Sequence, residues 1–467
     1  MPSAPSVSSS ITVRMQVEAR PTAVSELTTS IEQSGGIVTA LDVTASGHER
    51  ITVDLTCATR GEDHANEIVA GLRTLPGVVV DRVSDRTFLL HLGGKLSIES
   101  KVPLRNRDDL SMVYTPGVAR VCEAIAARPE DARRLTIKRN TIAVVTDGTA
   151  VLGLGDLGPL AALPVMEGKA VLFKRFADID AFPIALDTTD VDQIVETVCA
   201  IAPVFAGINL EDISAPRCFE IERRLRERLD IPVFHDDQHG TAIVALAALT
   251  NALKVVDKAL PDVRIVMSGA GAAGTAVLTL LLAAGATDVV VADIDGVIYP
   301  GRPGLTDQLA RTAAITNPRG VTGTLREALA DADVFIGVSA PDILTGDDVA
   351  TMADRSIVFA MANPRPEVDP VDAAKHAAVV GTGRSDFANQ INNVLAFPGV
   401  FRGLLNAQSN TITDAMLLAA AQALASVVSD DQLNPTYIVP SVFNPEVTTV
   451  VAAAVERVAR AQVAVAP

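Results

Sequence analysis

Aromatic residues are scarce in this chain of 467 residues: they make up 3% of it, and tryptophan is absent. The apolar residues, 48% of the chain, are therefore mostly Ala, Val, Leu and Ile. Side chains of this kind suit parallel sheets covered by helices. The chain is too long for one ordinary core, so we expect roughly two to four domains.

Cysteine is also scarce. Cys57, Cys122, Cys199 and Cys218 are isolated and form no C-x-x-C pair. This pattern indicates neither a disulfide framework nor a thiolate metal site, and it favours a reducing compartment. The start, MPSAPSVSSS, lacks the basic and apolar segments of a signal peptide, and no apolar run reaches the roughly 18 residues of a membrane span. We therefore expect a soluble cytoplasmic protein.

Positive charge is scarce, because the chain has 39 Lys and Arg but 56 Asp and Glu. Its formal net charge is −17. An acidic surface argues against nucleic acid and anionic membranes as partners. An anionic substrate would need a cation placed locally in its site.

After a flexible tail over residues 1–10, residues 11–92 predict the order βαββαβ, which is the ferredoxin-like arrangement. The first helix is indicated by Ala23, Leu27 and Ile31 on one face. This segment resembles an ACT domain, a regulatory module that commonly binds a small effector. Gly35-Gly36 follow that helix, and two interpretations stay open: backbone amides for an effector, or a plain helix C-cap.

The rest of the chain predicts an α/β fold, because strands alternate with helices. We expect a catalytic domain over residues 93–250 and a Rossmann-like, doubly wound nucleotide-binding domain over residues 251–430. A helical tail over residues 431–467 is expected to pack on the body or on a partner.

The segment VRIVMSGAGAAG carries a dinucleotide fingerprint. A strand ends at Ser268, Gly269, Gly271 and Gly274 form G-x-G-x-x-G around Ala272 and Ala273, and a helix follows. The next strand ends in Asp293, about 20 residues on, where an acid can accept from a ribose hydroxyl. A glycine-rich turn that only packs a helix on a sheet would not explain Asp293.

Ionisable side chains crowd the stretch PVFHDDQHGT, which holds His235, Asp236, Asp237 and His239. Adjacent carboxylates repel each other, so they need a compensating charge or water. One interpretation is a helix N-terminus, where Asp accepts backbone N–H bonds. The other is a metal site, either through the carboxylates or, with less support, through the two His as a zinc pair.

Two further segments add groups of the same chemistry. AGINLEDI ends an apolar strand with Glu211 and Asp212, and YTPGVA and PVMEGKAVLF offer Tyr114 and Lys169, which can both handle protons. Carboxylates at strand ends predict a hard divalent cation such as Mg²⁺ or Mn²⁺.

These segments together resemble the malic enzymes in their shorter bacterial form, over roughly residues 95–430. The motifs that carry the resemblance are YTPGVA, DGTAVLGLGDLGPLAALPVMEGKAVLFK, AGINLEDI, FHDDQHGTAI, SGAGAAG, ANPRPE and GRSDFANQINNVLAFPGVFRG. The resemblance implies oxidative decarboxylation of malate to pyruvate and CO₂, with NAD or NADP as the acceptor of the hydride.

The resemblance also implies a role for each residue. The base that takes the C2 hydroxyl proton is Lys169, with a pKa lowered by burial or a cation, and the acid that protonates the enol is Tyr114. The metal ligands are Glu211, Asp212 and Asp237, and Asp236 supports this catalytic set. Asn363, Asn392 and Asn393 contact malate, and Asn363 also borders the cofactor.

One departure from the family pattern concerns the substrate carboxylate. Longer malic enzymes carry an Arg in the segment DGTAVLG, where this chain has Ala150. Thr149 can donate a hydrogen bond instead, and Lys174 and Arg384 are candidate cations.

Cofactor choice and assembly are expectations of the same kind. Asp293 favours NAD over NADP, because it would repel a 2′-phosphate. We also expect a homodimer or a higher homo-oligomer. Two alternatives stay open: a non-decarboxylating hydroxy-acid or amino-acid dehydrogenase, and an inactive metabolite sensor. The first would not need three carboxylates together, and the second should have lost Tyr114, Lys169 or a metal carboxylate.

Overall fold

The computed structural model describes residues 5–465, which fall into two compact units, Met1–Ser97 and Ile98–Pro467. The elements of the first unit are β1 Ser6–Glu18, α1 Ala23–Gln33, β2 Ile37–Ser46, β3 Arg50–Thr59, α2 Glu62–Thr74, β4 Val78–Asp85 and α3 Arg86–His91. Its sheet has the order β2-β3-β1-β4, with all three pairs antiparallel. The predicted βαββαβ order and ferredoxin-like topology are confirmed.

The first unit differs from expectation at its two ends. Residues 6–10, predicted as part of a flexible tail, begin β1, because Ser10 pairs with Ala58 of β3; residues 1–4 lie outside the described residues. The last strand ends at Asp85, whose carboxylate accepts hydrogen bonds from the Thr87 and Phe88 N–H groups and so starts α3. A side chain that caps a helix stops the strand before it.

The glycine pair after α1 ends that helix. The N–H of Gly35 donates to the Glu32 carbonyl and that of Gly36 to the Ile31 carbonyl, each at 2.9 Å. Gly35 has φ +81°, and a Cβ on Gly36 would lie 2.7 Å from the Ile68 side chain. The C-cap interpretation is therefore the one that the structure supports, since both amides already have partners.

The second unit has strands β5 Thr141–Thr146, β6 Asp180–Ala185, β7 Gly207–Leu210, β8 Val233–His235, β9 Arg264–Ser268, β10 Asp288–Asp293, β11 Gly296–Val297, β12 Val334–Gly337, β13 Ile357–Ala360 and β14 Val379–Thr382. Its helices are α4 Arg107–Val113, α5 Gly117–Ala127, α6 Ala132–Leu135, α7 Pro159–Ala177, α8 Val191–Ile201, α9 Arg217–Arg228, α10 Asp236–Val256, α11 Ala272–Ala283, α12 Asp307–Ile315, α13 Leu325–Leu329, α14 Gly346–Val349, α15 Pro370–Ala373, α16 Phe397–Ala407, α17 Asp414–Ala425 and α18 Glu446–Val465.

Two sheets organise this unit. The smaller has the order β6-β5-β7-β8 and is parallel throughout. The larger has the order β11-β10-β9-β12-β13-β14 and is parallel apart from the short antiparallel β11. The α/β class and the Rossmann-like sheet are confirmed, as is the helix in the C-terminal tail.

Helix α10 joins the two sheets into one core. It starts directly after β8, and its buried residues belong to the same hydrophobic cluster as β9, β10 and β12. Among the described residues it is the one helix long and apolar enough to cross a membrane, but 72% of its apolar 18-residue stretch is buried inside the protein. Its apolar length is therefore that of a core helix, and the domain boundary predicted at residue 250 falls inside it.

Asn251 is a polar residue in the middle of this core helix. Its side chain is fully buried, and its amide nitrogen donates at 2.9 Å to the carbonyls of Ala425 and Ile438. It therefore ties α10 to the end of α17 and to the segment that precedes α18.

Asn251→Ala should lower the free energy of unfolding of the second unit by about 2–3 kcal/mol, because buried carbonyls lose their donor. Thr250→Ala is the matched control, since that hydroxyl bonds only Leu246 in its own helix. Urea unfolding followed by circular dichroism measures both variants. Equal losses in the two would contradict a role specific to Asn251.

Candidate active site

The predicted site residues meet at the carboxyl edge of the smaller sheet. Glu211 and Asp212 follow β7, and Asp236 follows β8, its neighbour in the sheet. Since the strands are parallel, their carboxyl ends lie at the same edge, which is where ligands bind in open α/β sheets. All three side chains are buried, with at most 4% of each residue exposed.

The two Asp of the HDD stretch are the first two residues of α10. The carboxylates therefore lie at a helix N-terminus, where its dipole stabilises them, and Asp237 also lies beside Glu211 and Asp212, so the metal interpretation stays a prediction that this geometry fits. The two His take no part in the carboxylate cluster.

Lys169 reaches the carboxyl edge of the smaller sheet from α7. It shares the buried face of that helix with Met166, Ala170 and Phe173. Its ammonium nitrogen lies 2.6 Å from Asp236 Oδ2 and 2.9 Å from Glu211 Oε1, and 4.4 Å from the centre of the Phe397 ring. The predicted proton-handling Lys is therefore packed against the predicted carboxylates.

Three carboxylates are arranged to hold a cation. Glu211, Asp212 and Asp237 each offer an oxygen within 4.8 Å of the other two. Ligands on opposite sides of an Mg²⁺ ion lie about 4 Å apart, so this spacing suits one hard cation. Asp212 Oδ2 is buried without a hydrogen-bond partner, and a third of the Asp237 side chain is exposed, so both have room for a ligand.

The pKa values of the three carboxylates also favour a cation site. Burial raises the pKa of Asp212, and the charges of Asp237 and Glu211 raise it further. Burial likewise raises the pKa values of Glu211 and Asp237. Carboxylates that repel each other in a buried place favour a bound divalent cation, which fits the predicted ligand set.

The predicted lowering of the Lys169 pKa is wrong for this arrangement. Burial alone lowers it, but the attraction of Asp236 and Glu211 outweighs burial and raises the pKa. The expected fall assumed burial or a neighbouring cation, whereas the nearest charges in the structure are carboxylates.

Two Asn residues complete the carboxylate network. The Asn393 amide donates to Asp236 Oδ2, and Asn209, which the sequence analysis missed, donates at 2.9 Å to Glu211 Oε2. Of the Asn392-Asn393 pair, Asn393 therefore lies at the site, whereas the Asn392 side-chain oxygen accepts from the Val394 N–H.

Asn363 lies where the two sheets approach each other. It follows β13, and its carbonyl oxygen would lie 2.4 Å from a Cβ on Gly153, in the segment after β5. Its amide would lie 3.0 Å from a Cβ on Gly383. Only glycine fits at both neighbouring positions, so the loop with Asn363 is held against the small sheet.

The dinucleotide fingerprint has the geometry expected of it. Gly269 has φ +105°, and a Cβ there would lie 2.6 Å from the Val338 carbonyl oxygen. A Cβ on Gly274 would lie 2.0 Å from the Gly269 carbonyl, whereas the place beside Gly271 is open. Ala272 and Ala273 begin α11, so their N–H groups face the turn where a pyrophosphate binds.

Asp293 has a partner that the sequence analysis missed. Arg302 donates from Nη1 at 2.7 Å and from Nη2 to the two carboxylate oxygens, and only 9% of Arg302 is exposed. Burial raises the pKa of Asp293, but the bonds from Arg302 outweigh it and lower the pKa. The carboxylate is therefore oriented, and Oδ2 keeps a lone pair for a ribose hydroxyl.

Tyr114 is not brought to the other site residues within this chain. It ends α4, it is 68% exposed, and among the described residues its hydroxyl has no bond to Lys169 or to the carboxylates. The helices around it, α4 and α5, bury almost no side chains, so nothing in the fold of one chain draws Tyr114 inward.

The cations suggested for the substrate carboxylate are engaged elsewhere. Lys174 bonds Asp178 and Asp180 at the amino-terminal edge of the small sheet, so that suggestion is wrong. Arg384 pairs with Asp386 after β14.

Thr149 lies at the correct edge of the sheet. Its hydroxyl donates to Asp147 and accepts from the Ser214 N–H and from Arg217. Arg217 is a cation that the sequence analysis did not identify.

A Rossmann-like sheet with an intact fingerprint, joined to a buried lysine among carboxylates that fit a divalent cation, defines a metal-dependent oxidoreductase. The chain matches the family models described as "Malic enzyme, N-terminal domain" at residues 93–226 and "Malic enzyme, NAD binding domain" at residues 238–460. It belongs to the malic enzyme family.

Individual proteins that this chain resembles are also malic enzymes. The NAD-dependent malic enzyme of Geobacillus stearothermophilus is 55% identical over 97% of this chain and 93% of that protein. The bifunctional malic/malolactic enzyme of Bacillus subtilis is 55% identical over 78% of this chain and 90% of that protein. The solved NAD-dependent malic enzyme of Thermotoga maritima is 46% identical, with a TM-score of 0.77 over 80% of this chain and 99% of that one. Relatives named for NADP also match.

Asp237→Asn should weaken Mn²⁺ binding more than about 100-fold while leaving NAD affinity nearly intact, because it removes a metal carboxylate that lies outside the fingerprint. Asp430→Asn is the control, since that exposed carboxylate pairs only with Lys254. Electron paramagnetic resonance of free Mn²⁺ measures the affinity. Full turnover of the unmodified protein in excess EDTA would contradict the metal site.

Proposed function

We propose that the protein oxidises and decarboxylates (S)-malate to pyruvate and CO₂ while reducing NAD. The observation that carries this proposal is the position of Lys169, 2.6 Å from Asp236 and 2.9 Å from Glu211, at the edge that also holds the predicted metal carboxylates. A dehydrogenase that leaves carbon–carbon bonds intact has no need of Glu211, Asp212 and Asp237 together.

In this proposal each group near the substrate has one task. Glu211, Asp212 and Asp237 hold a divalent cation, which when bound polarises the substrate oxygens and offsets the charge of the carboxylates. Lys169 is the proposed base: as the neutral amine, which a bound cation beside it would favour, it receives the C2 hydroxyl proton at Nζ. Asp236, which itself accepts from Asn393, holds Lys169 in position, and Asn363 borders both substrate and nicotinamide.

The proposed acid is Tyr114, which would protonate the enol carbon. Exposed apolar side chains precede it closely in the sequence, namely Val102, Leu104, Leu110 and Met112. Exposed apolar side chains on one segment are typical of a protein contact surface. We therefore propose a homodimer that covers it, in which Tyr114 serves either its own site or the site of the partner.

The proposed cofactor is NAD. The carboxylate of Asp293 is held at the end of β10 by Arg302 and offers an acceptor to a ribose hydroxyl, while Arg302, engaged by that carboxylate, is not free to bind the 2′-phosphate of NADP. The four isolated cysteines are free thiols, which keeps the cytoplasm as the proposed location. The test is the absorbance of the reduced nicotinamide with malate, Mn²⁺ and either nucleotide, together with assays of pyruvate and CO₂; oxaloacetate without CO₂ would contradict the proposal.

Lys169→Ala and Tyr114→Phe should fail at different steps. Without Lys169, malate oxidation should fall about 100- to 10,000-fold, because the hydroxyl keeps its proton. Without Tyr114, oxaloacetate should still lose CO₂, but enolpyruvate should be converted to pyruvate slowly. The two substrates are assayed separately. Lys174→Ala, on the same helix but exposed and paired with Asp178, is the control.

Mixing the two inactive variants tests where Tyr114 acts. If a partner supplies it, hybrid dimers contain one intact site and recover activity. If each chain supplies its own, the mixture stays inactive after subunit exchange. Enolpyruvate conversion at the unmodified rate by Tyr114→Phe would remove its assignment as the acid.

The first unit is proposed to be a regulatory ACT-like domain. Its sheet order supports the proposal, and the solved Thermotoga maritima enzyme covers only 80% of this chain, so a related catalytic part exists at shorter length. Gly35 and Gly36 are not the proposed effector contacts, since their amides end α1.

A shortened chain that begins at Gly93 should turn over malate but lose any response to small metabolites. Coupling of this kind is typically about 1–3 kcal/mol, or roughly 5- to 150-fold in affinity. The measurement is a metabolite screen on both chains at sub-saturating malate. An effector that acts equally on both would place the regulatory site in the second unit.

A further inference from the structure

A buried carboxylate with no assigned role contacts the residues on either side of Asp236 and Asp237. Glu222 belongs to α9, and 6% of it is exposed. Its oxygens accept hydrogen bonds from the His235 N–H at 3.3 Å, from Gln238 Nε2 at 3.2 Å and from His239 Nε2 at 2.8 Å, and Arg226 lies at 2.7 Å. One side chain therefore collects three donors from the start of α10.

These three donors flank Asp236 and the predicted metal ligand Asp237. His235 immediately precedes the two Asp, and Gln238 and His239 immediately follow them. The first N–H groups of a helix have no partner within it, and His235, at the N-cap position, makes no side-chain capping bond. Glu222, from a neighbouring helix, accepts from the His235 N–H and from the Gln238 and His239 side chains, and so fixes the first turn of α10.

Asp237 depends on that turn for its position. Its carboxylate accepts one hydrogen bond, from the Asp212 N–H at 2.9 Å, and the His235 ring is 3.9 Å from it. Asp236, by contrast, is held by Lys169 and Asn393. Of these two Asp, the predicted metal ligand Asp237 has the fewer direct contacts, so its place is set mainly by its backbone.

The charge of Glu222 is retained in this surrounding. Burial raises its pKa, but the attraction of His239 and the hydrogen bond from its ring, together with Arg226, outweigh burial and lower the pKa to about 2. A charged acceptor makes stronger hydrogen bonds than a neutral one, which suits a clamp on backbone and side-chain donors.

We propose that Glu222 is a positioning residue for the metal site: it holds the first turn of α10 so that Asp237 stays within coordinating distance of Glu211 and Asp212. It touches neither substrate nor cofactor. This inference rests on the proposed function, because it takes those three carboxylates as the ligands of a divalent cation.

The test compares variants of two glutamates on α9. Glu222→Gln keeps the shape and one acceptor, whereas Glu222→Ala removes every bond to α10. Glu227→Gln is the matched control, because Glu227 is exposed and pairs with Arg223 on the same helix. Free Mn²⁺ is titrated by electron paramagnetic resonance, NAD binding by calorimetry, and malate turnover as a function of Mn²⁺.

We expect Glu222→Gln to raise the Mn²⁺ dissociation constant about tenfold and Glu222→Ala to raise it further, the range typical of groups that support metal ligands. Glu227→Gln should match the unmodified protein, and NAD affinity should not change. At saturating Mn²⁺ the Glu222→Gln variant should regain its kcat, because the ligands themselves are intact.

Unchanged Mn²⁺ affinity in Glu222→Gln and Glu222→Ala would overturn the proposal. Loss of NAD and Mn²⁺ affinity together in Glu222→Gln would also overturn it, since that outcome describes a general loss of structure. If Glu222→Ala does not fold, Glu222→Gln decides alone. An unmodified protein that binds no Mn²⁺ and turns over malate in EDTA would instead contradict the proposed function.

Discussion

The buried interaction between the Lys169 ammonium and the carboxylates of Asp236 and Glu211 is the constraint on which the site depends. A charge taken out of water needs a partner, and removal of one partner from such a pair typically costs about 3–5 kcal/mol. Here one positive charge faces several negative ones, and the pKa values of Glu211, Asp212 and Asp237 are raised. The cluster is therefore short of positive charge, which is the physical reason that it fits a divalent cation.

Helix α10 connects this chemistry to the stability of the second unit. Its first turn carries Asp236 and Asp237, its middle fills the core between the two sheets, and Asn251 ties it to the end of α17. Because one rigid element serves both purposes, a shift of its N-terminus would move Asp237, the predicted metal ligand. The clamp that we propose for Glu222 acts at that N-terminus, where the helix has no capping side chain of its own.

Much of the site could be predicted from local sequence. The fingerprint from Gly269 to Gly274, Asp293, and the carboxylates after β7 and β8 lie in short motifs whose spacing has a physical meaning. The groups that were missed belong to no motif that marks them. Arg302 lies nine residues after Asp293 in the sequence beyond a short antiparallel strand, Asn209 looks like an ordinary strand residue, and Glu222 is one of several charges on an amphipathic helix.

Local sequence was enough to predict the α/β class, the βαββαβ order of the first unit and the residue types that the chemistry requires, because periodicity, turn residues and motif spacing are local properties. The folded arrangement of the chain sets which charges face each other. It turned the expected fall in the Lys169 pKa into a rise, excluded Lys174 from the site and left Tyr114 on the surface. Those outcomes depend on distances between segments far apart in the chain, and electrostatic energy follows distance and burial, which spacing along a sequence does not specify.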